Sequence, residues 1–367
     1  MNALTVVLIA FSALGALDKI FGCKFGLGKE FEKAFMLLGI MSLTMTGMIV
    51  ISPMIARLME PVSGFVSNYM HLDPSVIPAT LFANDMGGAS LSVEMAVDKK
   101  IGLYNALVVS SMMGCTLSYT VPFALGVVKK ELHHELFLGI LCGIITIPVG
   151  CFVAGLVCRV PIVSLLINLL PLTLFSVLLA FGLIKFTDIC VKIFKWFGFF
   201  ITAVIMLGLV FGIINFSAGR EVIKGIASIE EGTIICLNAS VVLSGALPLV
   251  YLLSKLLTRP LRAVGKKIGI NEFAVVGLFS TLATSSTLFP IMDKMDKKGI
   301  VLTSAFSVSA AFTFGAHLAF TMAFDKTYLV PVIVGKLVSG ILAIILAAVI
   351  YKIQNGENTK KEEGEIQ

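Results

Sequence analysis

Pro74-Ser-Val-Ile-Pro-Ala-Thr-Leu-Phe-Ala-Asn84-Asp85-Met-Gly-Gly-Ala-Ser-Leu-Ser-Val93 is the stretch on which the reading of the whole chain turns. It is as long and nearly as apolar as a membrane-crossing helix, which needs about 20 apolar residues. Yet it carries two prolines, an Asn-Asp pair and a Gly-Gly pair. Proline removes a helix hydrogen bond and clashes with the preceding turn. Irregular backbone at membrane depth survives only where it is buried in protein or lines a cavity. The stretch therefore reads as a re-entrant hairpin, two half-helices meeting at a polar tip. Residues 273–292, with Thr284-Ser285-Ser286-Thr287 at their middle and Pro290 soon after, read the same way.

The composition around these stretches demands a membrane. Of 367 residues, 57% are hydrophobic and 14% charged, and the mean hydropathy is +1.00. Soluble domains run near 45–50% apolar and about 25% charged. Eleven apolar segments are visible, near 3–21, 35–58, 74–93, 102–127, 135–158, 162–185, 196–216, 233–257, 273–292, 300–325 and 328–351. Residues 1–352 thus read as one all-α polytopic transport domain, and 353–367 as a charged, solvated cytoplasmic tail. The run from Ala3 to Leu17 has no basic residue before it and is taken as the first transmembrane helix rather than a signal peptide. The seven cysteines form no CxxC pair and read as small buried hydrophobes. No basic face with interleaved aromatics speaks for nucleic acid.

Charge decides the topology. Of 28 Lys and Arg, Lys336 lies within the last segment. If all eleven segments cross, the other 27 divide 12 to 15 between the two sides; if the third and ninth re-enter, they divide 7 to 20. Cytoplasmic loops are enriched in Lys and Arg. Nine spans with two hairpins, N-terminus outside and C-terminus inside, is the coherent arrangement. The order of features also repeats. Gly114 follows Thr80-Leu81 by 34 residues, and Gly315 follows Thr281-Leu282 by 34. Lys99-Lys100 and Lys297-Lys298 follow the two hairpins, and Pro61 and Pro260 precede them. Repeat one is about 1–158 and repeat two about 196–351, with segment six linking them. Each half holds a glycine-interrupted helix after its hairpin. Counting crossings makes the repeats inverted, the architecture of secondary transporters, whose sites lie between broken elements at mid-membrane. The layout resembles that of concentrative nucleoside transporters, a likeness of fold that does not fix the substrate.

Few residues can carry chemistry. Asp85 is the one carboxylate near the middle of an apolar segment, and such groups usually face a cavity and a partner. It reads either as a structural tip residue or as an acid that pairs with a cationic solute or proton. His317, two residues after Gly315, reads as an interhelical hydrogen-bonder or a proton relay. Asn84, Thr284, Ser285 and Ser286 are candidates to bond an alcohol or amine. Ser111 and Thr116 line the same expected path, though small polar residues also serve helix packing. Lys336 reads as a snorkelling side chain or one paired with a carbonyl. His133-His134 with Glu131 and Glu135 read as a solvated loop rather than a metal site. No HExxH, GxSxG, P-loop or dinucleotide motif occurs, so neither an enzyme nor a cofactor is expected.

Thr80-Leu-Phe-Ala-Asn-Asp-Met-Gly-Gly88 and Ser111-Met-Met-Gly114 resemble the ethanolamine-utilisation permease (EutH) family. So do Ile144-Ile-Thr-Ile-Pro-Val-Gly-Cys151, Ala305-Phe-Ser-Val-Ser-Ala-Ala-Phe312 and Ile333-Val-Gly-Lys-Leu337. The resemblance runs in order along nearly the whole chain. It implies uptake of ethanolamine across a bacterial inner membrane. It departs at two places: Ala316 stands where the family pattern has an Asp before His317, and Ser285-Ser286 where it has Asn-Asn. A carboxylate beside hydroxyls suits a cation bearing an OH, which agrees with that substrate. A homo-oligomer in lipid is expected. The alternatives are a carrier of another small amine, alcohol or nucleoside, and a non-transporting membrane scaffold.

Overall fold

The computed structural model describes residues 3–365; the side chains of 3, 4, 187, 188, 257–264, 266 and 355–365 are outside that description. The chain is all-helical among the described residues. Helices α1 (Ala3–Ile20), α2 (Leu27–Leu58, with one π-helical turn at Ser42–Thr46) and α3 (Glu60–Met70) lead to the first broken stretch. That stretch is α4 (Val76–Leu81), a tight turn at Asn84–Met86, and α5 (Gly88–Met95). After it come α6 (Lys99–Val127), α7 (His133–Val157), α8 (Ile162–Lys185), α9 (Thr187–Ala218) and α10 (Ile229–Ile268). The second broken stretch is α11 (Glu272–Ala283) with turns at Ser285–Thr287 and Phe289–Lys294. The chain ends with α12 (Lys297–Ala310), α13 (Ala316–Asp325) and α14 (Leu329–Glu365).

Among the described residues, seven helical runs are long and apolar enough to cross a membrane: 27–58, 99–127, 130–157, 162–185, 189–218, 229–256 and 316–354. The last of these is divided at Asp325, where extended backbone separates α13 from α14. Their outward faces suit lipid. On α8, Leu166, Leu170, Leu174, Val177 and Phe181 recur every three or four residues and are all more than half exposed. In water a stripe of that size would be a severe liability. The protein is a polytopic membrane protein. Helix α14 runs on through 353–365, so the expected tail begins as a continuation of the helix; most of its side chains lie outside the described residues.

The centre is built by α7, α12 and α14, packed on one another. Small residues bring the backbones close, as helix packing in lipid favours. Gly150 and Gly335 meet where α7 crosses α14, and a Cβ on either would press on the other's carbonyl oxygen. The two broken stretches stand at opposite ends of α7, whose 25 residues span about 37 Å. The base of the first is tied by Asp73, which accepts from the amides of Val97 (3.1 Å) and Asp98 (2.8 Å). Beside it Lys100 donates to the carbonyl of Arg159, just past the end of α7, at 2.7 Å. The base of the second is tied by Asp296, which accepts from the amides of Asn271 (2.7 Å) and Gly299 (3.1 Å). Its neighbours are at the start of α7: Lys297 pairs with Glu135 at 3.4 Å, and Asp293 with Lys129 at 3.2 Å. Glu135 is therefore not the solvated loop residue its neighbours suggested. It is 7% exposed and anchors this end.

Both tips rest on a glycine. A Cβ at Gly114 would overlap the carbonyl oxygen of Phe82, and a Cβ at Gly315 that of Ala283. The consequences differ between the halves. Residues 311–315 leave the helix, and the amides of Phe312 and Phe314 bond the carbonyls of Thr281 (3.0 Å) and Leu282 (2.8 Å). Helix α6 does not break at Gly114. It widens instead into π-helical turns over Asn105–Gly114 and Thr116–Thr120. π-turns inside α-helices recur at functional sites.

Candidate functional site

The tips of the two broken stretches face a cavity of about 730 Å³. Its inner wall carries Asp85, Met86, Cys115, Tyr119, Thr284, Ser286, Phe312 and His317; its outer wall carries Glu30, Lys33, Tyr251 and Lys255. Asp85 reaches it because Phe82 is extended and Gly87 takes a left-handed φ of 96°, which turns the chain between α4 and α5. The amide of Ala83 is held by Ser118 Oγ at 3.0 Å, fixing the tip against α6.

The side chain of Asp85 is 23% exposed, and its Oδ1 lies 3.9 Å from Nε2 of His317, itself 1% exposed on α13. That gap is too long for a hydrogen bond. Behind the imidazole, Lys336 Nζ sits 3.1 Å from His317 Nδ1 and donates to the carbonyl of Ser111 at 2.6 Å. With Lys336 as an ammonium, which has donors only, Nδ1 accepts and the ring proton sits on Nε2, facing Asp85. Phe312 packs against the imidazole at 5.0 Å between centroids, and Tyr119 packs on Phe312 at 5.5 Å. Tyr119 and Ser286 share a hydrogen bond of 2.9 Å, and Thr284 donates to Ser286 at 3.1 Å.

The residues singled out from sequence separate into two groups. Asp85, His317, Thr284 and Ser286 come together on the cavity wall. Asn84 and Ser285 are buried behind the tips, and their side chains find no hydrogen-bond partner among the described residues. Thr116 is buried and donates to the carbonyls of Met112 (2.7 Å) and Val308 (3.1 Å), joining α6 to α12. The hydroxyl of Ser111 turns back to Val108 O at 3.0 Å, so this residue offers the site its carbonyl rather than its side chain. Lys336, Tyr119 and Phe312 were not among the candidates. The sequence signal that marks Lys336 is a lone cation in mid-segment, followed by 15 residues without another charge.

A half-buried acid, a buried imidazole and a buried lysine group at the broken elements of a multi-pass helical membrane protein. The sequence profile of ethanolamine utilisation protein, EutH, matches residues 1–350, and the chain belongs to that family. A relative called probable ethanolamine permease EutH, from Listeria monocytogenes, is 40% identical over 97% of this chain and 96% of its own. The protein of that name from Escherichia coli K12 is 36% identical, covering 92% and 88%. A Bacillus subtilis relative, the uncharacterized protein YxeR, is 33% identical over 98% and 97%. No solved structure matches the chain.

Proposed function

We propose that this protein takes ethanolamine up across a bacterial inner membrane, binding it as a cation between the two hairpin tips. One observation carries the reading: Asp85 and His317 oppose each other at 3.9 Å on the cavity wall, beside the hydroxyls of Thr284, Ser286 and Tyr119. The acid suits the ammonium, and the hydroxyls and imidazole suit the alcohol. The rings of Phe312 and Tyr119 add cation–π attraction of about 0.5–2 kcal/mol. The names of the relatives agree with this substrate.

In this reading the broken stretches are re-entrant hairpins of inverted repeats. Two features support it: their bases contact opposite ends of α7, and the glycine–carbonyl contacts of the tips recur at one offset of 201 residues (315 − 114 and 283 − 82). With the N-terminus outside, Glu30, Lys33 and Lys255 flank a cytoplasmic mouth, and the cavity is the inward-open state of an alternating-access carrier. The hairpins, α6, α12 and α13 would move against the remaining helices within a homo-oligomer.

Purified protein in liposomes tests this directly. Labelled ethanolamine should enter with saturation, above protein-free vesicles, and propanolamine should compete better than choline or a nucleoside. Uptake equal to empty vesicles, or a nucleoside as the stronger competitor, would overturn the assignment.

A further inference from the structure

We propose that Lys336 is a built-in counter-cation of the substrate site, so that the ammonium crosses only in exchange for a proton. The proposal rests on the ethanolamine reading above and concerns how charge is balanced there.

Lys336 is 1% exposed on α14, in the middle of the membrane domain. A cation at that depth must pair or find acceptors. No carboxylate lies within 4.0 Å of it among the described residues, and its two bonds go to the carbonyl of Ser111 and to His317 Nδ1. Among the described residues, the ionisable groups around it besides His317 include Cys115 on α6, Asp85, and Cys151 on α7. Tyr104 faces the same region and donates to the carbonyl of Cys151 at 2.8 Å. Asp85 is the carboxylate that balances Lys336, and among the described residues the imidazole stands between them, 3.1 Å from Lys336 and 3.9 Å from Asp85. Empty, the site is neutral: ammonium on Lys336, carboxylate on Asp85, neutral His317 with its proton on Nε2. A substrate ammonium docking at Asp85 would leave one surplus positive charge in a low-dielectric interior. Like charges held there repel strongly.

The geometry offers the discharge route. Lys336 passes a proton to Nδ1 of His317 while Nε2–H gives its proton to cavity water. What remains is a neutral amine on Lys336, a neutral imidazole protonated on Nδ1, and one proton in solution. The amine still donates to Ser111 O, so nothing buried is stranded. Nε2 becomes an acceptor facing the cavity, where the substrate presents N–H and O–H donors. Release on the far side reverses each step with a proton from that side. One ammonium enters for one proton leaving, and no net charge moves.

Two measurements decide it. Titration calorimetry of the wild type with ethanolamine, in two buffers of different ionisation enthalpy, should show about one proton released per substrate bound. Current recordings from proteoliposomes on supported membranes should show saturable uptake without steady current. Lys336→Met should restore a current in step with uptake, because the ammonium then enters a site without a rival cation. Lys336→Arg, unable to surrender its proton, should bind ethanolamine weakly and fail to turn over. Binding without proton release, a wild-type current proportional to uptake, or electrically silent uptake by Lys336→Met would each overturn the proposal. Should the Met variant fail to fold, the wild-type calorimetry and current still decide. Absence of any ethanolamine binding would instead sink the substrate assignment.

Discussion

Asp85→Asn separates an acid that holds the substrate from one that shapes the tip. The change keeps the outline of the side chain and removes one charge. Asp85 is 23% exposed on the cavity wall, and Lys336 can answer the loss of its counter-charge by shedding a proton, so folding should be little affected. At about 4 Å and an effective dielectric near 20, a full ammonium–carboxylate attraction is about 4 kcal/mol. Asparagine keeps a dipole and an acceptor oxygen, so only part of that is lost. A charge-assisted hydrogen bond contributes about 1.5–3 kcal/mol, which is the expected loss. At 1.4 kcal/mol per decade, ethanolamine Kd should rise about 10- to 150-fold. Scintillation-proximity binding on purified protein reads this directly, with size-exclusion profile and Tm as controls on folding. Near-wild-type affinity in a well-folded Asn variant would refute the binding role, because the amide serves equally well as a structural tip.

Three further outcomes follow from the same geometry. His317→Gln keeps a donor towards Asp85 but cannot pass a proton between two ring nitrogens; Kd should change by less than about tenfold, some 1.4 kcal/mol, while uptake collapses and its pH profile flattens. Unchanged turnover would remove His317 from proton handling. Gly315→Ala should destabilise by about 1–3 kcal/mol through overpacking against the Ala283 carbonyl, whereas Gly126→Ala, with nothing within 4 Å, should be neutral or mildly stabilising; equal Tm values for the two would contradict the close approach. A cysteine placed at Lys99 should react with an impermeant reagent from outside and one at Lys297 should not, and the reverse pattern would invert the topology.

Much of the helical layout could be read from apolar run length, because each run is bounded by charge or by Gly and Pro. The bounds near 162–185 coincide with α8, and Lys99 and Lys297 begin α6 and α12. The two breaks were legible because the polar Asn84-Asp85 pair with Gly87, and the hydroxyl run Thr284–Thr287, interrupt otherwise apolar stretches. What followed Gly114 was not. Glycine permits a break without requiring one, and α6 absorbs the contact with Phe82 by π-winding. The site was legible only in part, for a related reason. In a tight turn neighbouring side chains diverge, so Asn84 and Ser285 go behind the tips while Asp85 and Ser286 face the cavity. Lys336 was read as snorkelling or paired with a carbonyl, and it does pair with one; its place at the site was not legible because Ser111 and His317 lie 225 and 19 residues away and no local pattern joins them.

The repeat we propose is symmetric in backbone and one-sided in chemistry. The offset of 201 pairs Asp85 with Ser286, Asn84 with Ser285, and Thr116 with His317. One half supplies the carboxylate and the other the imidazole, and α14 of that second half adds the lysine. Where α7 and α14 cross, Gly150 and Gly335 contact each other reciprocally, and the residue after each differs: Cys151 on one side, Lys336 on the other. A duplicated scaffold needs matched packing in both halves to keep its two conformations close in energy. Binding a single small cation has the opposite requirement, because two carboxylates side by side would repel and two lysines would exclude the substrate. The glycines answer the first requirement and the unlike residues beside them answer the second. The Ala316 position fits the same logic: an acid there would stand next to His317 and give Lys336 a second counter-charge. On the proposed reading, its absence leaves Asp85 as the acid shared by Lys336 and an incoming ammonium. Ala316→Asp is accordingly the sharpest gain-of-charge test: with two acids facing one lysine, ethanolamine binding should tighten and release less than one proton. Unchanged proton release at unchanged affinity would show that position 316 does not share the charge balance of the site.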